Sequence, residues 1–160
     1  MSDRSNLTPA GALYIASRME QRAIRLYERA LLVFSQGPMK KALEDILQDE
    51  RVHLSAFQEL LEKEEPVSAE DALLLDAEAD TVLFQGGLTG AVREGALDSL
   101  KSLLTFAADE EEAAARRYTD FAAKAQGRTK ETFLDIASQE RRHLERLKEQ
   151  ISLLKEERDA

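Results

Sequence analysis

The chain has 160 residues, 31 acidic against 22 basic, a formal net charge of −9 and no cysteine. That length fits one domain around one core. The acidic balance argues against nucleic acid or an anionic membrane as the main partner, since both need clustered Lys and Arg. Without cysteine there is no disulfide, thiol nucleophile, Cys-ligated zinc or iron–sulfur centre. The opening MSDRSNLTPA has no apolar signal core, and the longest purely apolar run is Ala30 to Phe34. No stretch is long enough to span a bilayer as a helix. The expectation is a soluble, cytoplasmic protein whose redox chemistry, if it has any, uses a bound metal or cofactor.

Gly and Pro number only 7 and 3, and Ala, Leu, Glu, Lys, Arg and Gln, the strong helix formers, dominate. No window alternates as a strand, so the class is all-α. Thr8-Pro9 reads as an N-cap followed by Pro at the first helical position. From there Leu13, Ala16, Ala23, Tyr27, Ala30, Leu31 and Phe34 recur at helical spacing. Gly37 reads as the glycine that ends this helix. A second helix places Leu43, Ile46, Leu47, Leu54, Phe57, Leu60 and Leu61 inward and ends near Glu65-Pro66.

Residues 67–95 read as a long crossover with a short helix, capped at Ser68-Ala-Glu-Asp and followed by Gly86, Gly87, Gly90 and Gly95. A third long helix is expected from about Ala96 to Gln126, with Leu100, Leu103, Leu104, Ala107, Ala114, Tyr118 and Phe121 inward and Gly127 ending it. The fourth is expected from about Thr129 to near Glu156, through Phe133, Ile136, Ala137, Leu144, Leu147, Ile151 and Leu154. Two antiparallel hairpins (about 9–65 and 96–156) joined by a long crossover (66–95) form a ferritin-like four-helix bundle, a single domain.

The two histidines of the chain each follow a glutamate by three residues: Glu50-Arg-Val-His53 and Glu140-Arg-Arg-His143. That spacing puts both side chains on one face of a helix, about one turn apart. On the partner helix of each hairpin a glutamate precedes a tyrosine by seven: Glu20 and Tyr27, Glu111 and Tyr118. The offset between halves is 91 residues for the Glu/Tyr pairs and 90 for the Glu-x-x-His pairs. The sequence thus contains one hairpin twice.

Glu20 lies 17 residues before Gly37 and Glu50 lies 13 after it; the counts around Gly127 are 16 and 13. At ~1.5 Å per residue the arms differ by only about 5 Å, so each hairpin brings its glutamates to nearly one height. Pairing the hairpins then gathers four carboxylates and two imidazoles in one layer, with Tyr27 and Tyr118 leaning back toward it. Asp109-Glu110-Glu111-Glu112 leaves the ligand on the third helix open: Glu111 keeps the spacing to Tyr118, and Glu110 is the alternative. Two divalent cations would balance four buried carboxylates, and a thiolate-free set with imidazole suits iron or manganese. Asp49 and Gln139, each one residue before a Glu-x-x-His, are placed to accept from the distal imidazole N–H of the opposite hairpin, Asp49 from His143 and Gln139 from His53.

The set Glu20-x6-Tyr27, Asp49-Glu50-Arg-Val-His53, Glu111-x6-Tyr118 and Glu140-Arg-Arg-His143 resembles the rubrerythrin branch of the ferritin-like superfamily over about residues 10–155. The resemblance implies a non-haem di-iron centre reacting with peroxide or dioxygen. In it Glu50 and Glu140 bridge, Glu20 and Glu111 are terminal, and His53 and His143 supply one imidazole to each iron. A peroxidase of this kind draws on an external electron donor protein, and hairpin exchange makes a homodimer the expected assembly. Two features depart from the family: there is no Cys-x-x-Cys electron-donor motif, and Ala114 (or Ala113, counted from Glu110) stands where an additional glutamate is found. A ferroxidase or iron-handling role, or a di-manganese catalase-like centre, is the alternative reading.

Overall fold

A computed structural model of the protein describes residues 8–82 and 99–159, with side chains described for 8–78 and 99–154. Among these residues the elements are all helical: α1 (Pro9–Val33), α2 (Pro38–Glu62), α3 (Ala69–Val82), α4 (Leu100–Ala123) and α5 (Gly127–Asp159). The fold is an all-α, ferritin-like bundle. α1 and α2 form one hairpin, α4 and α5 the second, and α3 belongs to the crossover. No helix among the described residues is long and apolar enough to cross a membrane.

Three helix starts carry the side-chain caps that free N–H groups require. Thr8 Oγ1 accepts from Gly11 N at 3.0 Å with Pro9 following, and Ser68 Oγ accepts from Asp71 N at 3.1 Å. Ser99 Oγ accepts from Ser102 N at 3.1 Å, so α4 begins at Leu100. The expected start at Ala96 and the crossover glycines lie outside the described residues. At the other ends α2 stops at Glu62, short of Glu65, and α4 stops at Ala123, short of Gln126.

The two turn glycines have the opposite role to the one the sequence suggests. α1 ends at Val33, with the Phe34 N–H bonded to the Ala30 carbonyl at 2.7 Å. Gly37 comes three residues later, at φ +86° and ψ 178°, as the N-cap of α2. Pro38 bars the helical region to the residue before it, and this extended, positive-φ conformation is essentially open to glycine alone. Gly127, at φ +59°, likewise opens α5 rather than closing α4.

The core faces are those set by the helical periodicity. Leu13, Ala16, Ile46, Leu103, Ala107 and Ala137 are fully buried, while Leu31, Phe34, Leu61, Ile151 and Leu154 pack half-buried at its margin. Below the glutamate layer Phe57, Tyr118, Phe121 and Phe133 form an aromatic cluster with ring centroids 5.2–6.0 Å apart. α3 straps the outside: Leu75 is buried, Asp76 accepts from Arg18 Nε of α1 at 2.7 Å, and Glu78 accepts from Arg117 of α4 at 2.6 Å.

The turns make a stability prediction. No atom lies within 4 Å of a Cβ added at either glycine, so backbone conformation alone decides the cost. Gly37→Ala should destabilise the protein by about 1–3 kcal/mol. Gly127→Asn, in a left-handed region that Asn tolerates, should cost clearly less. Urea unfolding of the metal-free protein measures both.

Candidate metal centre

Each of the four long helices contributes to one buried layer: Glu20 from α1, Glu50 and His53 from α2, Glu111 from α4, Glu140 and His143 from α5. All six are at most 5% exposed. They form two groups of four. In one, Glu20, Glu50, His53 and Glu140 each offer an atom within 4.8 Å of the others; in the second, Glu50, Glu111, Glu140 and His143 do the same. Glu50 and Glu140 belong to both. Of the two α4 glutamates left open by the sequence, Glu111 is the one in the group, and Glu110 is only partly buried.

The distances suit ligands of a common ion. His53 Nδ1 lies 2.9, 3.4 and 3.6 Å from oxygens of Glu140, Glu50 and Glu20. His143 Nδ1 lies 3.3, 3.5 and 3.6 Å from oxygens of Glu50, Glu111 and Glu140. Neighbouring ligands held at about 2.1 Å on perpendicular axes would be about 3.0 Å apart. Each of the six residues also has one buried atom without a hydrogen-bond partner: Glu20 Oε2, Glu50 Oε1, His53 Nδ1, Glu111 Oε2, Glu140 Oε1 and His143 Nδ1. Buried polar atoms are rarely left so. Six in one layer, on two imidazoles and four carboxylates, fit a pair of hard-to-borderline cations.

The outer atoms of four of these residues, the two terminal glutamates and the two histidines, are held, in each case from the other hairpin. Tyr27 Oη donates to Glu111 Oε1 at 2.7 Å, and Tyr118 Oη donates to Glu20 Oε1 at 2.9 Å. His143 Nε2 meets Asp49 Oδ2 at 2.9 Å, and His53 Nε2 meets Gln139 Oε1 at 2.8 Å. An acceptor at Nε2 keeps a ring proton there, so Nδ1, facing the carboxylates, is the nitrogen that would give up its proton to take a metal. Both acceptors are the ones the sequence positions suggest. The aromatic cluster behind Tyr118 and the α3 strap had no signature in the sequence, since their partners have no fixed spacing along the chain.

Beside the carboxylates, between α1 and α4, is room for about one water-sized molecule (about 10 Å³). Its walls include Met19, Ala23, Leu26 and Ala114, the four glutamates of the layer and Glu110, but neither histidine.

Burial, reinforced by the Glu50 charge, pushes the Glu20 carboxyl well above the ordinary carboxylate range. Burial does the same to Glu140, helped by Glu111, Glu50 and Glu20. In Glu50 burial acts in the same direction but is outweighed by the attraction of the nearby His143 and His53 rings, which holds it low. Burial disfavours the charged imidazoles too, yet Glu20 and Glu50 raise His53 to about 10, and Glu111 and Glu50 raise His143 to about 11. Burial and the adjacent carboxylates push both tyrosines well up, so they remain phenol donors.

Without metal, therefore, protons hold the layer together. For a histidine raised above 6.5 that stabilising contribution is full below the unfolded value and is lost as pH rises through about 10–11. A metal must displace those protons. Metal uptake should release protons near neutrality, and apparent affinity should tighten as pH rises from about 6.5 toward the raised histidine values. Titration in weakly buffered solution with a pH indicator measures both, and uptake without proton release would contradict it.

The Rubrerythrin family model matches residues 102–160, which carry Glu111, Tyr118, Glu140 and His143. No curated protein and no solved structure matches the chain. Over α4 and α5 the chain is similar to the Rubrerythrin family, and its all-helical architecture is consistent with a ferritin-like bundle.

Proposed function

We propose that the chain is a non-haem di-iron oxidoreductase that reacts with hydrogen peroxide or dioxygen. The observation that carries this reading is the pair of four-residue groups sharing Glu50 and Glu140, with six unpartnered atoms turned inward. A pair of irons held there would supply two electrons and Lewis acidity to an O–O bond.

The residues of the chain supply the rest. Glu20 and His53 would hold one ion, Glu111 and His143 the other, and Glu50 and Glu140 would span both. Tyr118 and Tyr27 fix the terminal carboxylates through their outer oxygens, leaving the inner oxygens for metal. The small space lined by Ala23 and Ala114 lies against the carboxylates and is where a small oxidant would approach them.

Ala114 and the absence of cysteine favour a second reading, a ferroxidase that oxidises Fe(II) and passes it on. The six-residue set serves that chemistry without an additional carboxylate or a reductant domain. In the first reading electrons come from an external donor protein.

Metal analysis after anaerobic Fe(II) reconstitution should give about two irons per chain. Glu20→Ala should retain about one, and Glu50→Ala and Glu140→Ala should lose most of both, because those two carboxylates serve both groups. Stopped-flow mixing of the loaded protein with peroxide or air should oxidise the ferrous pair, and a sample that stays ferrous with both would refute the reading. Sustained turnover of excess Fe(II), with ferric product leaving the protein, would select the ferroxidase.

A further inference from the structure

The two four-residue groups are alike in composition: each has one terminal glutamate, one imidazole and the two shared carboxylates. Each terminal carboxylate also accepts from one tyrosine. Behind the imidazoles the likeness ends. His143 is backed by a carboxylate, Asp49, at 2.9 Å, and His53 by a neutral carboxamide, Gln139, at 2.8 Å.

We propose that this difference makes the two metal positions unequal, so that the Glu111/His143 position fills first and the Glu20/His53 position second. The inference rests on the metal-centre reading above and assigns Asp49 and Gln139 as positioning residues that rank the two halves of the site.

The argument is electrostatic. An N–H bonded to an ionised acceptor forms a charge-assisted hydrogen bond, roughly twice as strong as one to a neutral acceptor. Drawing the Nε2 proton toward a carboxylate raises electron density at the opposite ring nitrogen and makes it the stronger donor to a cation. In His143 that nitrogen is Nδ1, facing Glu50, Glu111 and Glu140. The amide of Gln139 fixes the His53 tautomer equally well but adds no charge. Asp49 is half exposed, so water screens its field at a distance, while the direct hydrogen bond remains. Changes of such outer partners typically alter metal affinity by about 10- to 100-fold, and the expected preference is about tenfold.

Because the chain has only two histidines, each position has its own reporter. Metal-free protein labelled with nitrogen-15 histidine would be titrated with Zn(II), and the two Nδ1 resonances followed by NMR. The expected result is that the His143 signal converts first, at about tenfold lower free Zn(II) than that of His53. Asp49→Asn, of equal size and still an acceptor, should weaken the His143 position and bring the two conversions together. Gln139→Glu should bring them together from the other side, by strengthening His53.

Wild-type histidines that convert in step, or an order that survives both substitutions, would overturn the proposal while leaving the metal centre in place. If Zn(II) and Fe(II) moved neither resonance, the metal-centre reading itself would fall, and this inference with it.

Discussion

The energetic problem around which this protein is built is the placement of four carboxylates in the middle of an apolar bundle. Glu20, Glu50, Glu111 and Glu140 are essentially inaccessible to water, where an isolated charge is severely penalised and neighbouring like charges raise that penalty. Nothing in the packing of Leu, Ile and Ala requires them. The bundle carries them because something else neutralises them. Without metal, protons and two imidazoles do so, and six inner atoms are left without a hydrogen-bond partner. The same inner atoms form two groups that could hold a metal ion.

That constraint shapes the neighbours. The tyrosines, Asp49 and Gln139 take up the outward-facing atoms of Glu111, Glu20, His143 and His53, so each of these four is held from behind while its inner atom stays available. The aromatic cluster of Phe57, Phe121 and Phe133 holds the ring of Tyr118, which in turn aims its hydroxyl at Glu20. α3 pins Arg18 and Arg117, on the two helices that flank the small cavity, from outside. Packing energy thus becomes positional accuracy at the carboxylates.

How much of this could be read from the sequence depended on whether the information was periodic. The long helices and their buried faces follow from recurring Leu, Ala and Phe, and the layer followed from four spacings that repeat across the halves. Helix ends were harder. A glycine in a short turn between two helices serves either as the end of one or the start of the next, and at Gly37 the following proline decided it in favour of the start. The glutamate run on α4 could not be resolved by spacing alone; burial separates Glu111 from Glu110. The α3 strap was illegible for a different reason. Asp76 and Glu78 pair with arginines 58 and 39 residues away, and no local pattern encodes such a meeting.

Every outward-facing hold on the layer crosses from one hairpin to the other, and a shared glutamate from each completes the set of its counterpart. Either hairpin alone is half of a self-complementary object, and the two are related as the subunits of an isologous dimer would be. In a dimer of identical hairpins, any substitution appears on both sides of the axis. Joined in a single chain, the halves are free to differ one residue at a time, and Asp49, which stands where the other half has Gln139, is such a difference. Fusion gives this fold a left and a right, which two separate copies of one hairpin could not acquire.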